Sequence, residues 1–84
     1  MRLRPHVSTT STDTGMVLLD LNSGKFWELN AAGAAVLRVL RAGGSPHHAT
    51  ELLTAGTEVS FNRAAADVTA FVSLLLTHQL VEHT

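Results

Sequence analysis

Five histidines, His6, His47, His48, His78 and His83, are the side chains of this sequence best suited to ligate a metal or carry a proton near neutrality. A metal site needs three or four donors converging, with spacings that bring two of them onto one face. His47 and His48 are adjacent, so on a helix they point about 100° apart. No HxxxH pair occurs, and no acidic partner is expected at ligand spacing. Solvated or locally hydrogen-bonded histidines are the reading, with no metal and no cofactor. Serine, histidine and aspartate are all present, but no Gly-x-Ser-x-Gly turn exists to raise a nucleophile. Gly43-Gly44 punctuates helices rather than cradling phosphate, because neither GxGxxG nor GxxxxGK occurs. A non-catalytic chain is expected, and its chemistry must then be recognition.

The stretch that suits recognition is Gly24 to Asn30, Gly-Lys-Phe-Trp-Glu-Leu-Asn, which holds the only Trp and one of three Phe. It follows a run, Met16 to Leu21, that leans to β structure and is closed by Asn22-Ser23-Gly24, residues that accept the positive φ of tight turns. Lys25 to Leu29 therefore returns antiparallel to that run. With a side-chain period of two, Trp27 and Leu29 share a face, expected toward the core, and Phe26 and Glu28 share the other. A strand unpaired on one side offers a row of N–H and C=O groups, which proteins normally blunt. Lys25 and Glu28 do some blunting here; Phe26 and Trp27 do the reverse. An open edge beside an apolar groove is how a peptide binds by strand addition.

Helices must supply that groove. Asn30 is placed as an N-cap for a helix over Ala31 to Arg41, with Gly33, Val36, Leu37 and Leu40 at helical spacing and Arg38 and Arg41 at the cation-favouring end. Ser45-Pro46 opens a short second helix carrying Ala49, Leu52 and Leu53, and Gly56 ends it. After a connector from Thr57 to Phe61, with Ser60 or Asn62 as cap, the longest helix runs from Arg63 to about His78. Ala64, Val68, Phe71, Val72 and Leu75 form its core stripe. At 100° per residue, Arg63, Asp67, Ala70 and Leu74 line one flank, while Thr69, Ser73 and Thr77 are solvated. For Phe71 the plainer alternative is a wide-faced core helix; Leu74, further round, discriminates better. Leu80-Val81 closes the core. A weak first strand is expected around His6 to Thr10, within a segment 1–14 that could otherwise be an arm, since Pro5 bars a central position. The fold class is α+β and winged-helix-like, a small three-stranded antiparallel sheet followed by three helices.

Composition narrows the partners. The 84 residues suffice for one domain, 1–84, with one core. Charged residues make up 15%, against about 25% in typical domains. Apolar surface to spare implies a partner or self-association, so a monomer or weak dimer is expected. A net charge of −1 gives no general attraction to phosphate backbones. A winged-helix DNA-binding protein is the alternative, but the long helix has Arg63 as its only basic residue before His78, with Asp67 one turn on. No nucleic acid is expected. A structural dimer using the same edge is the third possibility. There is no Cys, the start lacks a signal-peptide run, and no segment approaches 18 apolar residues. No membrane and a cytoplasmic location are expected.

Leu18-Leu19-Asp20, Gly24, Leu29-Asn30-Ala31-Ala32-Gly33, Val36-Leu37 and Leu40, then Asp67-Val68, Phe71, Leu75 and Leu80-Val81, resemble in order and spacing the PqqD-like family. The likeness spans about residues 15 to 82. This family is the recognition element of ribosomally made, modified peptides, and stand-alone members of this size resemble leader-binding proteins of lasso-peptide biosynthesis. The resemblance implies that a precursor's leader peptide adds as an antiparallel strand to the third strand, Lys25 to Leu29, beside the third helix. The expected role is then to present the leader to a separate leader peptidase and other maturation enzymes. The resemblance implies Asp67, Phe71 and Leu74 as groove-lining residues, and with the strand and the helix flank the expected peptide-binding residues are Lys25, Phe26, Trp27, Glu28, Arg63, Asp67, Ala70, Phe71 and Leu74. Gln79 stands where family members often have Gly, which implies a different turn after the third helix.

Overall fold

The computed structural model describes residues 1–83; the last residue of the expected domain, at position 84, lies outside the described residues. The elements run β1 (Arg2–Leu3), β2 (Val7–Thr12), β3 (Gly15–Asp20), β4 (Phe26–Asn30), α1 (Ala31–Arg41), α2 (Pro46–Thr54), α3 (Phe61–Thr77) and β5 (Val81–Glu82). The expected α+β arrangement holds: a three-stranded antiparallel sheet, β2-β3-β4, followed by three helices.

Three differences from the sequence reading exceed a single residue. The first strand of the sheet is Val7–Thr12, longer than expected, because Thr and Ser continue its pairing with β3 as far as Thr12 opposite Gly15. Before it, Arg2–Leu3 pairs antiparallel with Val81–Glu82 in a second, two-stranded sheet. Two-residue strands 80 positions apart leave no periodicity to read. Helix α3 begins at Phe61 rather than Arg63, since Ser60 takes the cap and its hydroxyl accepts from the Arg63 N–H at 3.2 Å.

The other caps fall where side-chain chemistry places them. Asn30 Oδ1 accepts from the Gly33 N–H at 2.8 Å, and Ser45 Oγ accepts from the His48 N–H at 3.0 Å. In the β3–β4 turn the Asp20 carboxylate accepts from the amides of Asn22 and Ser23 at 2.8 and 3.2 Å, and Gly24 takes φ +77°. Partial desolvation pulls the Asp20 pKa up, but those two amides, the Ser23 hydroxyl and nearby His6 together outweigh it and hold it below the usual value. At the far end, Gln79 sits at φ +55°, the one non-glycine residue in the left-handed region among the described residues. The turn after α3 thus keeps the backbone conformation that glycine favours, despite the Gln.

The core lies between the sheet and the helices. Leu18, Leu37, Leu75 and Leu80 are fully buried, with Met16, Ala34 and Val81 around them, and Trp27, Leu29 and Phe71 packed half-buried on their edge. A second cluster, Val36, Leu40, Ala49 and Val68, joins the three helices, and Phe71 packs against it too. Each fully buried Leu contributes roughly 1.5–3 kcal/mol. Leu80 and Val81 do close the core, as the sequence implied.

Candidate functional site

Strand β4 is an edge: its one partner in the sheet is β3. Which of its backbone groups are open follows from two hydrogen bonds. Asp20 N–H donates to the Lys25 carbonyl at 2.9 Å, and Leu21 N–H donates to the His6 carbonyl at 2.8 Å. Asp20 therefore directs its backbone toward β4 and Leu21 away from it. By the alternation of an antiparallel ladder, Lys25, Trp27 and Leu29 turn their backbone groups to β3. Phe26 and Glu28 then present N–H and C=O outward.

Beside this edge runs a two-compartment groove. The first compartment, about 270 Å³, is lined by Trp27, Glu28, Leu29 and Asn30 of the strand and by Gly33, Phe71 and Leu74 of the helices. The second, about 290 Å³, is lined by Asn30, Ala32, Gly33, Val36, Leu53, Asp67, Val68 and Phe71. They share Asn30, Gly33 and Phe71, so the Phe71 ring divides one trough. Each is below the roughly 300–1,000 Å³ of small-molecule pockets and is of a size to seat individual side chains. Gly33 is what keeps the partition low. A Cβ there would sit 3.6 Å from Leu29 Cβ and 3.8 Å from Phe71 Cε1, filling space that is now part of the trough.

Of the nine residues expected to bind peptide, the structure gathers Trp27, Glu28, Phe71 and Leu74 around the first compartment and Asp67 at the second. Lys25 and Phe26 lie at the start of the edge without lining either compartment; Phe26 is 61% exposed on the outer side of the sheet. Arg63 and Ala70 are exposed on α3 and line neither. Leu74 is 39% exposed and lines the first compartment. Trp27 and Leu29 face inward, yet both also line the trough. The sequence reading passed over Asn30, Gly33 and Leu53 as lining residues. Asn30 and Leu53 had been fully occupied as cap and core stripe, whereas a Gly inside an Ala-rich first turn was a signal of close approach.

The histidines do not converge. Among the described residues no three His, Asp or Glu gather as a metal would require. His47 does have a carboxylate one turn on, contrary to expectation: its Nε2 is 3.5 Å from Glu51 Oε1, an exposed i,i+4 pair. No helix of the described residues is long and apolar enough to cross a membrane.

An open sheet edge flanked by a shallow apolar trough defines a class of small α+β binding folds. Within that class, the family model described as Coenzyme PQQ synthesis protein D (PqqD) matches residues 15–81. The chain belongs to the PqqD family. It is similar, at 39% identity and a TM-score of 0.88, to a solved chain described as lasso peptide synthetase B1 complexed with the leader peptide, covering 98% of this chain and 96% of that one. It is also similar, at 25% identity and a TM-score of 0.85, to TbiB1 in complex with the TbiA(beta) leader peptide, covering 100% of this chain and 98% of that one. No curated protein matches significantly.

Proposed function

We propose that this chain binds, without catalysis, the leader segment of a ribosomally made precursor of a lasso peptide, and presents it to a separate leader peptidase. The observation that carries the reading is the coincidence on β4 of outward backbone groups at Phe26 and Glu28 with the trough that Phe71 and Leu74 wall. Both similar solved chains being leader-peptide complexes supports it from outside.

The leader would add as an antiparallel strand on β4. Backbone hydrogen bonds to Phe26 and Glu28 contribute roughly 0.5–1.5 kcal/mol each. Apolar leader side chains enter the two compartments at roughly 25 cal/mol per Å² buried. Asp67 beside the second compartment, with Lys25 and Arg63 at the groove's margins, sets register and specificity more than affinity.

The test is a titration of the purified chain with the synthetic leader of a precursor encoded beside its gene, followed by Trp27 emission. Saturable binding is expected, and its absence for every leader encoded nearby overturns the reading. Leu74→Glu sharpens it. Circular dichroism should show an intact fold, because Leu74 is 39% exposed, while binding falls by at least tenfold as a charge enters an apolar wall, a desolvation cost above about 1.4 kcal/mol.

A further inference from the structure

One histidine touches a residue that lines the groove. The His78 imidazole lies against the Trp27 indole, ring centroids 5.2 Å apart and planes tilted by 48°. Trp27 lines the first compartment. His78 is also the C-cap of α3, its N–H donating to the Leu74 carbonyl at 3.1 Å, and that end of a helix favours positive charge. His6 and His47 have carboxylates at 4.0 and 3.5 Å, from Asp20 and Glu51. Among the described residues His78 has no such partner. The acidic member of the groove on this helix, Asp67, lies about 16 Å away at 1.5 Å per residue. Along α3, therefore, Asp67 lines the second compartment, while His78 touches Trp27, a wall residue of the first.

We infer that protonated His78 is the counter-charge for an acidic side chain of the bound peptide, next to the apolar anchor seated against Trp27. The inference rests on the peptide-binding reading above and adds to it a charge requirement and a pH dependence. Affinity for a peptide with Asp or Glu at that position rises as pH falls through the histidine range. The other charged groups on the elements around His78 are Lys25 and Glu28 at β4, Arg63 and Asp67 on α3, Arg4, whose N–H donates to the Leu80 carbonyl, Glu82 on β5 held by Arg2, His83 after it, and the amino group of Met1. Of these only His83 and the amino group ordinarily titrate between pH 5.5 and 8.

The experiment measures the Kd of the full chain for a synthetic leader encoded beside its gene at pH 5.5, 6.5 and 8. It is repeated with each Asp and Glu of the peptide changed in turn to Asn or Gln. Binding about two- to fivefold tighter at pH 5.5 is expected, the scale of an exposed ion pair. The effect should vanish in His78→Gln and with one carboxamide peptide, and persist in His83→Gln. In the free protein, Trp27 emission should titrate with pH in the parent and lose that step in His78→Gln. Saturable binding that is flat with pH, or equally pH-dependent in His78→Gln, overturns the inference while the peptide-binding reading stands. Absence of binding at every pH overturns both.

Discussion

Gly33 and Gln79 are single residues that local backbone preference disfavours, and at Gly33 groove geometry opposes that preference. In the first turn of α1, Gly33 costs helix stability relative to Ala by about 1 kcal/mol. The nearest atom to its missing Cβ is Asn30 Oδ1 at 3.4 Å, with Leu29 and Phe71 beyond, all ordinary contacts. Gly33→Ala is thus expected to raise the melting temperature while weakening leader binding, because the methyl enters both compartments. A calorimetric melt and the Trp27 titration measure the two halves, and a variant that gains stability and binds as before would remove Gly33 from the site. Gln79, at φ +55°, carries left-handed strain of about 1 kcal/mol. Gln79→Gly should recover about 0.5–1 kcal/mol in urea unfolding without touching the groove. Neither effect is fully legible in a sequence, where Gly in a helix reads as weakness and Gln79 reads only as a changed turn. The caps were legible, since Asn30 and Ser45 have no better use than the one the structure gives them.

At the level of elements, the β3–β4 pairing fixes where the edge is. Gly15, opposite Asn30 at the end of that ladder, allows β3 to approach the strand-to-helix junction: a Cβ there would lie 1.9 Å from the Leu29 carbonyl oxygen. Backbone cannot yield as a flexible side chain does. Gly15→Ala is expected to cost about 1–3 kcal/mol or more and to displace the β4 end that carries the trough. A chemical denaturation midpoint near the parent's would contradict this. The hairpin itself was readable because Asn22-Ser23-Gly24 lies between two β-leaning runs. What was not readable is the phase of the ladder. The sequence shows that Trp27 and Leu29 share a face, while the open backbone groups belong to Phe26 and Glu28, and only the bonds from Asp20 and Leu21 reveal that. The same blindness hid Asn30 and Leu53 as lining residues, since their roles as cap and core stripe satisfied every local rule.

Across the whole molecule, the chain's last elements support the groove from beneath. Leu80 and Val81 are buried in the cluster on which Trp27, Leu29 and Phe71 rest, and β5 is tied to β1 through Arg2 and Glu82 at 2.6 Å. Leu80→Ala should cost about 2–5 kcal/mol, a large share of the roughly 5–15 kcal/mol a domain possesses. A thermal melt should show a sharp fall, with leader affinity falling in parallel as the trough's floor loosens. An unchanged melt would mean that Leu80 is dispensable to the core. That Leu80-Val81 closes the core could be read from two apolar residues after a helix stop. The β1–β5 pairing could not, because it joins sequence ends by two residues each.

The edge of β4 is short. With Phe26 and Glu28 each turning both backbone groups outward, an added strand finds places on them for about four backbone bonds, and sliding it by two residues would restore most of them. The backbone by itself is then a poor ruler. On the peptide-binding reading, it is the spacing between two side-chain seats separated by the Phe71 ring that measures the ligand, much as two pins locate a plate. A grip of this kind releases readily once either pin is drawn. A carrier that must surrender each spent leader before collecting the next precursor would gain turnover from that looseness.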